Sequence, residues 1–74
     1  MQPSLPSEEA LALARRVRAA CVQAGREAYQ DAGIQGLCEE GRWEAALGAI
    51  GSLDMQGIAR EYAAELDGQA GARG

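Results

Sequence analysis

The side chains of this sequence that could carry out covalent or redox chemistry are two cysteines, Cys21 and Cys38. The chain contains no histidine, which is the commonest general base and metal ligand in proteins. A serine or cysteine nucleophile activated by histidine is therefore excluded within this chain. The two cysteines are also too far apart in sequence for the Cys-x-x-Cys spacing that is typical of a zinc site. We therefore expect a non-enzymatic protein with no catalytic residue, no metal site and no cofactor.

The two cysteines fall at positions that we predict to face the protein interior. Cys21 lies among apolar residues of a first predicted helix, and Cys38 lies on the inner side of a second one. Free cysteine is among the most buried residue types, so we expect two buried, unreactive thiols. The alternative hypothesis is a redox- or ligand-sensing helical domain in which Cys21 and Cys38 form a reversible link between adjacent helices.

Composition limits the class of protein further. The chain has 74 residues, 47% of them hydrophobic, and a formal net charge of −4. An acidic surface repels phosphate, which argues against a nucleic-acid partner. No apolar run approaches the roughly 18 to 20 residues that span a bilayer, and the first residues do not resemble a secretory signal. We therefore expect a small cytoplasmic protein that binds neither membranes nor nucleic acid.

The first half of the sequence predicts one long helix. Ser7, followed by Glu8 and Glu9, is typical of a helix start, and Ser4 with Pro6 is an alternative start. Good helix formers continue to a stop signal at Ala32 and Gly33. We expect Gly25 to permit the close approach of a neighbouring helix. Apolar and small residues spaced by three and four form a stripe along this helix: Ala10, Leu13, Val17, Ala20, Cys21, Ala24 and Ala28.

The second half predicts three shorter helices, so that the whole is an all-α bundle of one long and about three short helices. The first runs over 34–40, with Ile34, Leu37 and Cys38 facing inward, and ends at Gly41. The second runs over 42–50 with a stripe of inward residues, which are Trp43, Ala46, Leu47 and Ile50. We predict that Trp43 belongs to the core.

The last helix is predicted from Met55 to Leu66, with Ser52 or Asp54 as its cap. Its inward residues are predicted to be Met55, Ile58, Ala59, Tyr62, and Leu66 or Ala63. The predicted domain organisation is an extended segment over 1–6, one helical domain over 7–66, and a disordered glycine-rich tail over 67–74.

The turn between the second and third predicted helices has a recognisable pattern. Gly41, Trp43 and Ala46 resemble the helical hairpin of a tetratricopeptide repeat, and Leu37 stands where that repeat has an aromatic residue. The resemblance covers about 25 residues, which is one hairpin without further copies. The stretch 28–44 also resembles short bacterial proteins that are sometimes labelled acetyltransferases. This chain has neither a predicted sheet nor a phosphate-binding loop, so that label implies no activity here.

The small number of large apolar residues suggests that the domain associates with another chain. Below about 70 to 80 residues, a single core rarely supplies more than roughly 3 to 5 kcal/mol. Three short helices would not cover the whole stripe of the first helix, and its small residues allow close packing. We therefore predict a protein–protein interaction or regulatory module, a homodimer or the partner of another protein. The candidate interface consists of Leu13, Val17, Ala20, Ala24, Arg15 and Arg18.

Overall fold

The structure is a computed structural model that describes residues 7–73 of the chain, with side chains described for 7–68. These residues form three helices: α1 (Glu8–Ile34), α2 (Glu39–Gly51) and α3 (Met55–Arg73). No strand occurs within this part of the chain. The predicted all-α class is confirmed, whereas the predicted number of helices is wrong because one long and two shorter helices form.

The start of α1 agrees with the sequence prediction. The hydroxyl oxygen of Ser7 accepts a hydrogen bond from the backbone N–H of Ala10 at 3.1 Å, and the Ser7 carbonyl accepts one from Leu11 at 3.0 Å. This side-chain bond satisfies one of the N–H groups that the first turn leaves unpaired. Ser7 is therefore the N-cap of α1, while the alternative start at Ser4 and the predicted extended segment over 1–6 lie outside the described residues.

The end of α1 depends on Gly36 and not on Gly33. The N–H of Leu37 donates to the carbonyl of Ala32 at 3.0 Å, and the N–H of Gly36 donates to that of Gly33 at 3.0 Å. Gly36 itself has a φ of +89°. These two bonds and a left-handed glycine define a Schellman motif, which ends a helix by satisfying its last carbonyls. The α1 helix therefore continues beyond the predicted stop to Ile34.

The short helix predicted over 34–40 does not form. Cys38 is the N-cap of α2, whose first turn contains Glu39 and Glu40, and α2 continues through Gly41 without a break. Carboxylates are favourable at a helix N-terminus, and a helical glycine costs only about 1 kcal/mol relative to alanine. The Leu37 side chain lies over Gly41, where an added Cβ atom would be 3.1 Å from Leu37 Cδ2.

The residues predicted to face inward on that short helix are exposed instead. Ile34 is 84% exposed, Leu37 is 41% exposed, and Cys38 is also exposed. Ile34 is the last residue of α1, and Leu37 and Cys38 lie in the turn between α1 and α2, so no separate helix presents these residues to a neighbour. This segment therefore contributes a turn rather than a packing element.

The turn before α3 contains the predicted cap. Asp54 Oδ1 accepts a hydrogen bond from the N–H of Gly57 at 2.9 Å, and the Asp54 carbonyl accepts one from Ile58 at 3.1 Å. The Ser52 hydroxyl instead donates to the carbonyl of Ala49 in the last turn of α2. From this cap α3 extends to Arg73. The helix therefore continues past Leu66, the predicted end of the last helix.

The described chain divides into two compact units. One contains residues 7–17 and 54–73, and the other contains residues 18–53. The buried residues are Gly25, Ala32 and Ala46, all in the second unit. No large side chain within the described part is completely buried. The packing of the second unit therefore depends on small residues that allow two backbones to approach each other.

The first unit is held by half-buried apolar residues and one ion pair. Leu13 and Val17 of α1 are half-buried, and so are three residues of α3, which are Ile58, Tyr62 and Leu66. Two further residues predicted to face inward, Met55 and Ala59, are exposed, and so is Ala63, the alternative to Leu66. Met55 is the first residue of α3, and the two alanines lie to one side of the line through Ile58, Tyr62 and Leu66.

Arg16 of α1 has specific contacts in the first unit. Its Nη1 donates to Glu65 Oε2 at 3.0 Å, and its Nη2 donates to the other carboxylate oxygen. Its guanidinium also lies 5.5 Å from the centre of the Tyr62 ring. The hydrogen bonds and positive charge of Arg16 lower the pKa of Glu65 below its ordinary value.

The Arg16–Glu65 pair predicts a change that titration can measure. Replacing Arg16 with glutamine should raise the pKa of Glu65 because the paired donors and the positive charge are lost. Since the folded-state pKa is lowered, the pair stabilises the fold above the ordinary glutamate pKa and loses this effect as the pH falls through the lowered value. Carboxyl-carbon NMR titration would measure the shift, with Arg15→Gln as the exposed control. An unchanged Glu65 pKa in Arg16→Gln would contradict the pairing.

Candidate functional site

The second unit is a helical hairpin whose two helices meet at small residues. Gly25 of α1 is buried, and an added Cβ atom there would lie 3.1 Å from Cδ1 of Ile50 in α2. Ala46 of α2 is only 6% exposed and Ala32 of α1 only 3%. The prediction that Gly25 permits close approach of a neighbouring helix is confirmed. This packing fixes which sides of α1 and α2 remain available to a partner.

A polar cluster joins the first turn of α2 to α1. The Arg42 guanidinium lies 4.1 Å from the centre of the Tyr29 ring, and its Nε donates to the Tyr29 carbonyl at 3.3 Å. The Tyr29 hydroxyl donates to the Glu39 carboxylate at 2.5 Å. This hydrogen bond, assisted by burial and the negative charge of Glu39, raises the pKa of Tyr29. Arg42 also lies across Gly33, where an added Cβ atom would be 2.8 Å from Arg42 Cζ.

Trp43 lies at the edge of the hairpin, so its predicted place in the core is wrong. Its ring packs edge-to-face on Tyr29, with centroids 6.3 Å apart and planes at 68°, yet the residue is 54% exposed. Leu47, predicted on the same buried stripe, is 59% exposed. The line of contact with α1 runs through Ala46 and Ile50. Helical geometry places Trp43 and Leu47 about 60° and 100° to one side of Ala46.

A shallow apolar groove lies beside Trp43. Its volume is about 300 Å³, and its lining consists of Gly25, Arg26, Tyr29, Trp43, Ala46 and Ile50. Exposed apolar residues continue it along both helices, because Val22 is one turn before Arg26 and Leu47 is one turn after Trp43. We call the surface formed by the exposed residues Val22, Arg26, Trp43 and Leu47 and the half-buried Tyr29 the hairpin face.

Three members of the hairpin face were not predicted from the sequence. Val22, Arg26 and Tyr29 lie outside the predicted stripe of α1, although they have helical spacings of four and three residues. Two apolar residues around one arginine give a weak signal, because such a pattern is equally typical of a solvated helix side. A stronger indication of this surface in the sequence was the seven-residue spacing between Val22 and Tyr29, which places both on the same side of the helix.

The predicted interface along α1 is divided between the two units. Leu13 and Val17 belong to the first unit and are half-buried, while Ala20 and Ala24 belong to the second and are also half-buried. The remaining two candidates, Arg15 and Arg18, are exposed. None of the large exposed apolar side chains of the described part belongs to this set.

The hairpin does not bring the two cysteines together. Both thiols are free, Cys21 half-buried and Cys38 exposed. Cys21 lies one turn before Gly25 in α1, and Gly25 packs against Ile50 near the end of α2. Cys38, in contrast, precedes the start of α2. The helical rise alone separates Cys21 from Ile34 by about 20 Å. A disulfide requires Cα atoms within about 7 Å. These thiols lie at opposite ends of the hairpin and are therefore too far apart to form one within the chain.

The described residues form neither a metal-binding cluster nor a membrane-spanning helix. No group of three or more cysteine, aspartate or glutamate side chains there is arranged to hold a metal ion. None of the described helices combines the length and apolar character needed to cross a bilayer. Comparison with protein-family models found no match, and neither curated protein sequences nor solved structures gave a significant one.

Proposed function

We propose that this chain is a non-enzymatic helical module that binds another protein chain through the hairpin face, in an accessory or regulatory role in the cytoplasm. The observation that supports it best is Trp43, the only tryptophan, which is 54% exposed beside an apolar groove. Tryptophan and tyrosine are enriched in the centres of protein interfaces, where they supply much of the binding energy. A groove lined by small and aromatic residues suits an apolar helix.

The polar cluster supports this assignment because it holds the aromatic wall of the groove in place. Arg42 covers one side of the Tyr29 ring, and Glu39 holds its hydroxyl. Tyr29 in turn contacts Trp43. An anchor that is already ordered loses less side-chain entropy when a partner binds, which increases affinity.

Site-directed photocrosslinking in the cells that naturally produce this chain tests the proposal. Benzoylphenylalanine in place of Trp43 should give a discrete protein adduct, because the anchor of an interface contacts its partner. The matched control places the same amino acid at Gln56, which is exposed on α3. Leu47→Asp in the same chain should abolish the adduct, since the charge would lie one turn from the crosslinker.

The outcomes of this experiment separate binding from folding. Each crosslinking chain should keep its helical circular dichroism, because Trp43, Leu47 and Gln56 are exposed. If no adduct forms at Trp43, or if Gln56 gives the same adducts, the hairpin face is not a binding surface. A discrete adduct that Leu47→Asp removes would support the proposed function.

Redox sensing through Cys21 and Cys38 is the alternative function, and the exposure of Cys38 favours it. Given the positions of the two thiols, the first disulfide expected is one between the Cys38 residues of two chains. Alkylation of free thiols in cells before and after exposure to peroxide as the oxidant, followed by a non-reducing gel, distinguishes the functions. A disulfide-linked fraction that Cys38→Ser removes would favour the sensor, whereas complete alkylation would favour the interaction module.

A further inference from the structure

We propose that the partner bound by the hairpin face is a second copy of this chain, with α1 of each copy against α2 of the other. This inference rests on the proposed function and names its occupant. The observation behind it is the separation of charge on the two edges of the groove. One edge is basic and the other is acidic, so the surface is complementary to itself.

The basic edge belongs to α1. Arg18, Val22 and Arg26 follow one another at intervals of four residues and thus form one line along the helix. All three residues are exposed. The acidic residues of this part of α1, Glu27 and Asp31, point away from that line, at about 100° and more from Arg26 around the helix.

The acidic edge belongs to α2. Glu40 and Glu44 are exposed and flank Trp43 in the first two turns of the helix, with Leu47 next along the same side. Arg42 is the one basic residue of α2, and it lies across Gly33 and Tyr29 of α1 rather than on this edge. Among the described side chains, neither these glutamates nor the arginines of the basic edge form an ion pair.

The charges select one of two symmetric arrangements. Because Tyr29 lies beside Trp43 and Gly25 beside Ile50, α1 and α2 run in opposite directions. A two-fold axis parallel to the helices places α1 of one copy opposite α2 of the other, so that basic and acidic edges face each other twice. An axis perpendicular to the helices would instead place each edge against its own copy and bring like charges together. Isologous dimers use such self-complementary surfaces.

The positions of residues along the helix axes identify the charge pair. Gly25 lies level with Ile50, and Tyr29 lies level with Trp43, so Arg26 lies between these two levels. Glu44 of the second copy would be about one helical turn from Arg26, a span that an arginine side chain covers. Trp43 and Leu47 of each copy would pack into the groove of the other, and the ion pairs at the edge would determine the orientation.

Charge reversal, measured by sedimentation equilibrium of the full chain, tests this arrangement. The unaltered chain should dimerise at micromolar concentration. Arg26→Glu alone and Glu44→Arg alone should each weaken dimerisation roughly tenfold or more, because each places two like-charged pairs at the edges. An equimolar mixture of the two variants should restore dimerisation, since the mixed dimer has opposite charges at both edges.

Matched controls distinguish the pairing from a change in net charge. Arg60→Glu and Glu27→Arg make the same changes at exposed positions outside the hairpin face and should leave the dissociation constant within about threefold. Failure of the mixture to restore dimerisation, or dissociation by the controls as well, would overturn the proposal. Dissociation by Val17→Glu without any effect of Arg26→Glu would also overturn it, and would place the interface on the predicted stripe of α1.

The crosslinking experiment separates failure of this inference from failure of the proposed function. A chain that is monomeric at high micromolar concentration, with an adduct at Trp43 to a different protein, would overturn the second-copy proposal and leave the interaction module standing. A monomeric chain with no adduct at Trp43 would end both. An adduct with the mass of two copies, lost in Arg26→Glu, would support both.

Discussion

Ala46→Asp is expected to unfold the hairpin. Ala46 is 6% exposed and lies where α2 packs against α1, so the carboxylate would lose its water without gaining a partner. A buried polar group without a hydrogen bond costs roughly 1 to 3 kcal/mol in proteins, and an unpaired charge costs more. A core this small supplies only roughly 3 to 5 kcal/mol. Circular dichroism should show loss of most of the helical signal at room temperature.

Ala19→Asp is the matched control for this substitution. Ala19 is an exposed alanine in the middle of α1 and belongs to the same unit, so both changes lose a similar helix propensity, up to about 0.7 kcal/mol. The control should therefore keep a cooperative unfolding transition at a slightly lower temperature. Equal melting curves for the two variants would show that Ala46 is not at a packed contact.

The starts of α1 and α3 were the part of the fold that the sequence could predict. Ser7 and Asp54 both accept a hydrogen bond from the N–H group three residues later. Such caps depend on local chemistry, because the side-chain oxygen and its donor are close in sequence. The same holds for the all-α class, which follows from good helix formers and apolar residues at helical spacing.

The end of α1 could not be predicted because three glycines compete for the same role. Gly33, Gly36 and Gly41 are each compatible with a helix stop, but only Gly36 has a positive φ. Gly33 and Gly41 stay helical under the side chains of Arg42 and Leu37, respectively. These are contacts across the turn, which depend on where α2 starts. The choice among the glycines is thus tertiary information that local patterns lack.

The hairpin face was missed for a related reason. Hydropathy favoured the alanine-rich stripe of α1, whose members from Leu13 to Ala28 are half-buried, whereas the contacts of α2 include Gly25 and Tyr29 beside that stripe. Glycine and tyrosine contribute little to an apolar pattern, although glycine allows the closest approach of two backbones. The contact side of α2 runs through Ala46 and Ile50, which leaves Trp43 and Leu47 at its edge. The rotation of α2 about its own axis depends on this tertiary contact, and the apolar pattern of α2 alone does not determine it.

Gly36→Val is expected to give the second largest loss of stability. The φ of +89° at Gly36 is strongly unfavourable for a β-branched residue, and an added Cβ atom would meet no other atom within 4 Å. The cost is therefore almost entirely conformational, about 1 to 2 kcal/mol, partly offset by the reduced freedom of the unfolded chain. For a domain of this size, the midpoint of thermal unfolding should fall by roughly 4 to 8 °C per kcal/mol.

Gly48→Ala should have the opposite effect and thereby isolates the role of the backbone angle. Gly48 lies within α2, and a Cβ atom there would also meet nothing within 4 Å. Alanine should therefore stabilise the helix by up to about 1 kcal/mol. Both substitutions add a Cβ atom in open space, so opposite changes in the unfolding midpoint would point to the backbone conformation at each glycine. If Gly36→Val instead raised the midpoint, the Schellman turn would not be the end of α1 in solution.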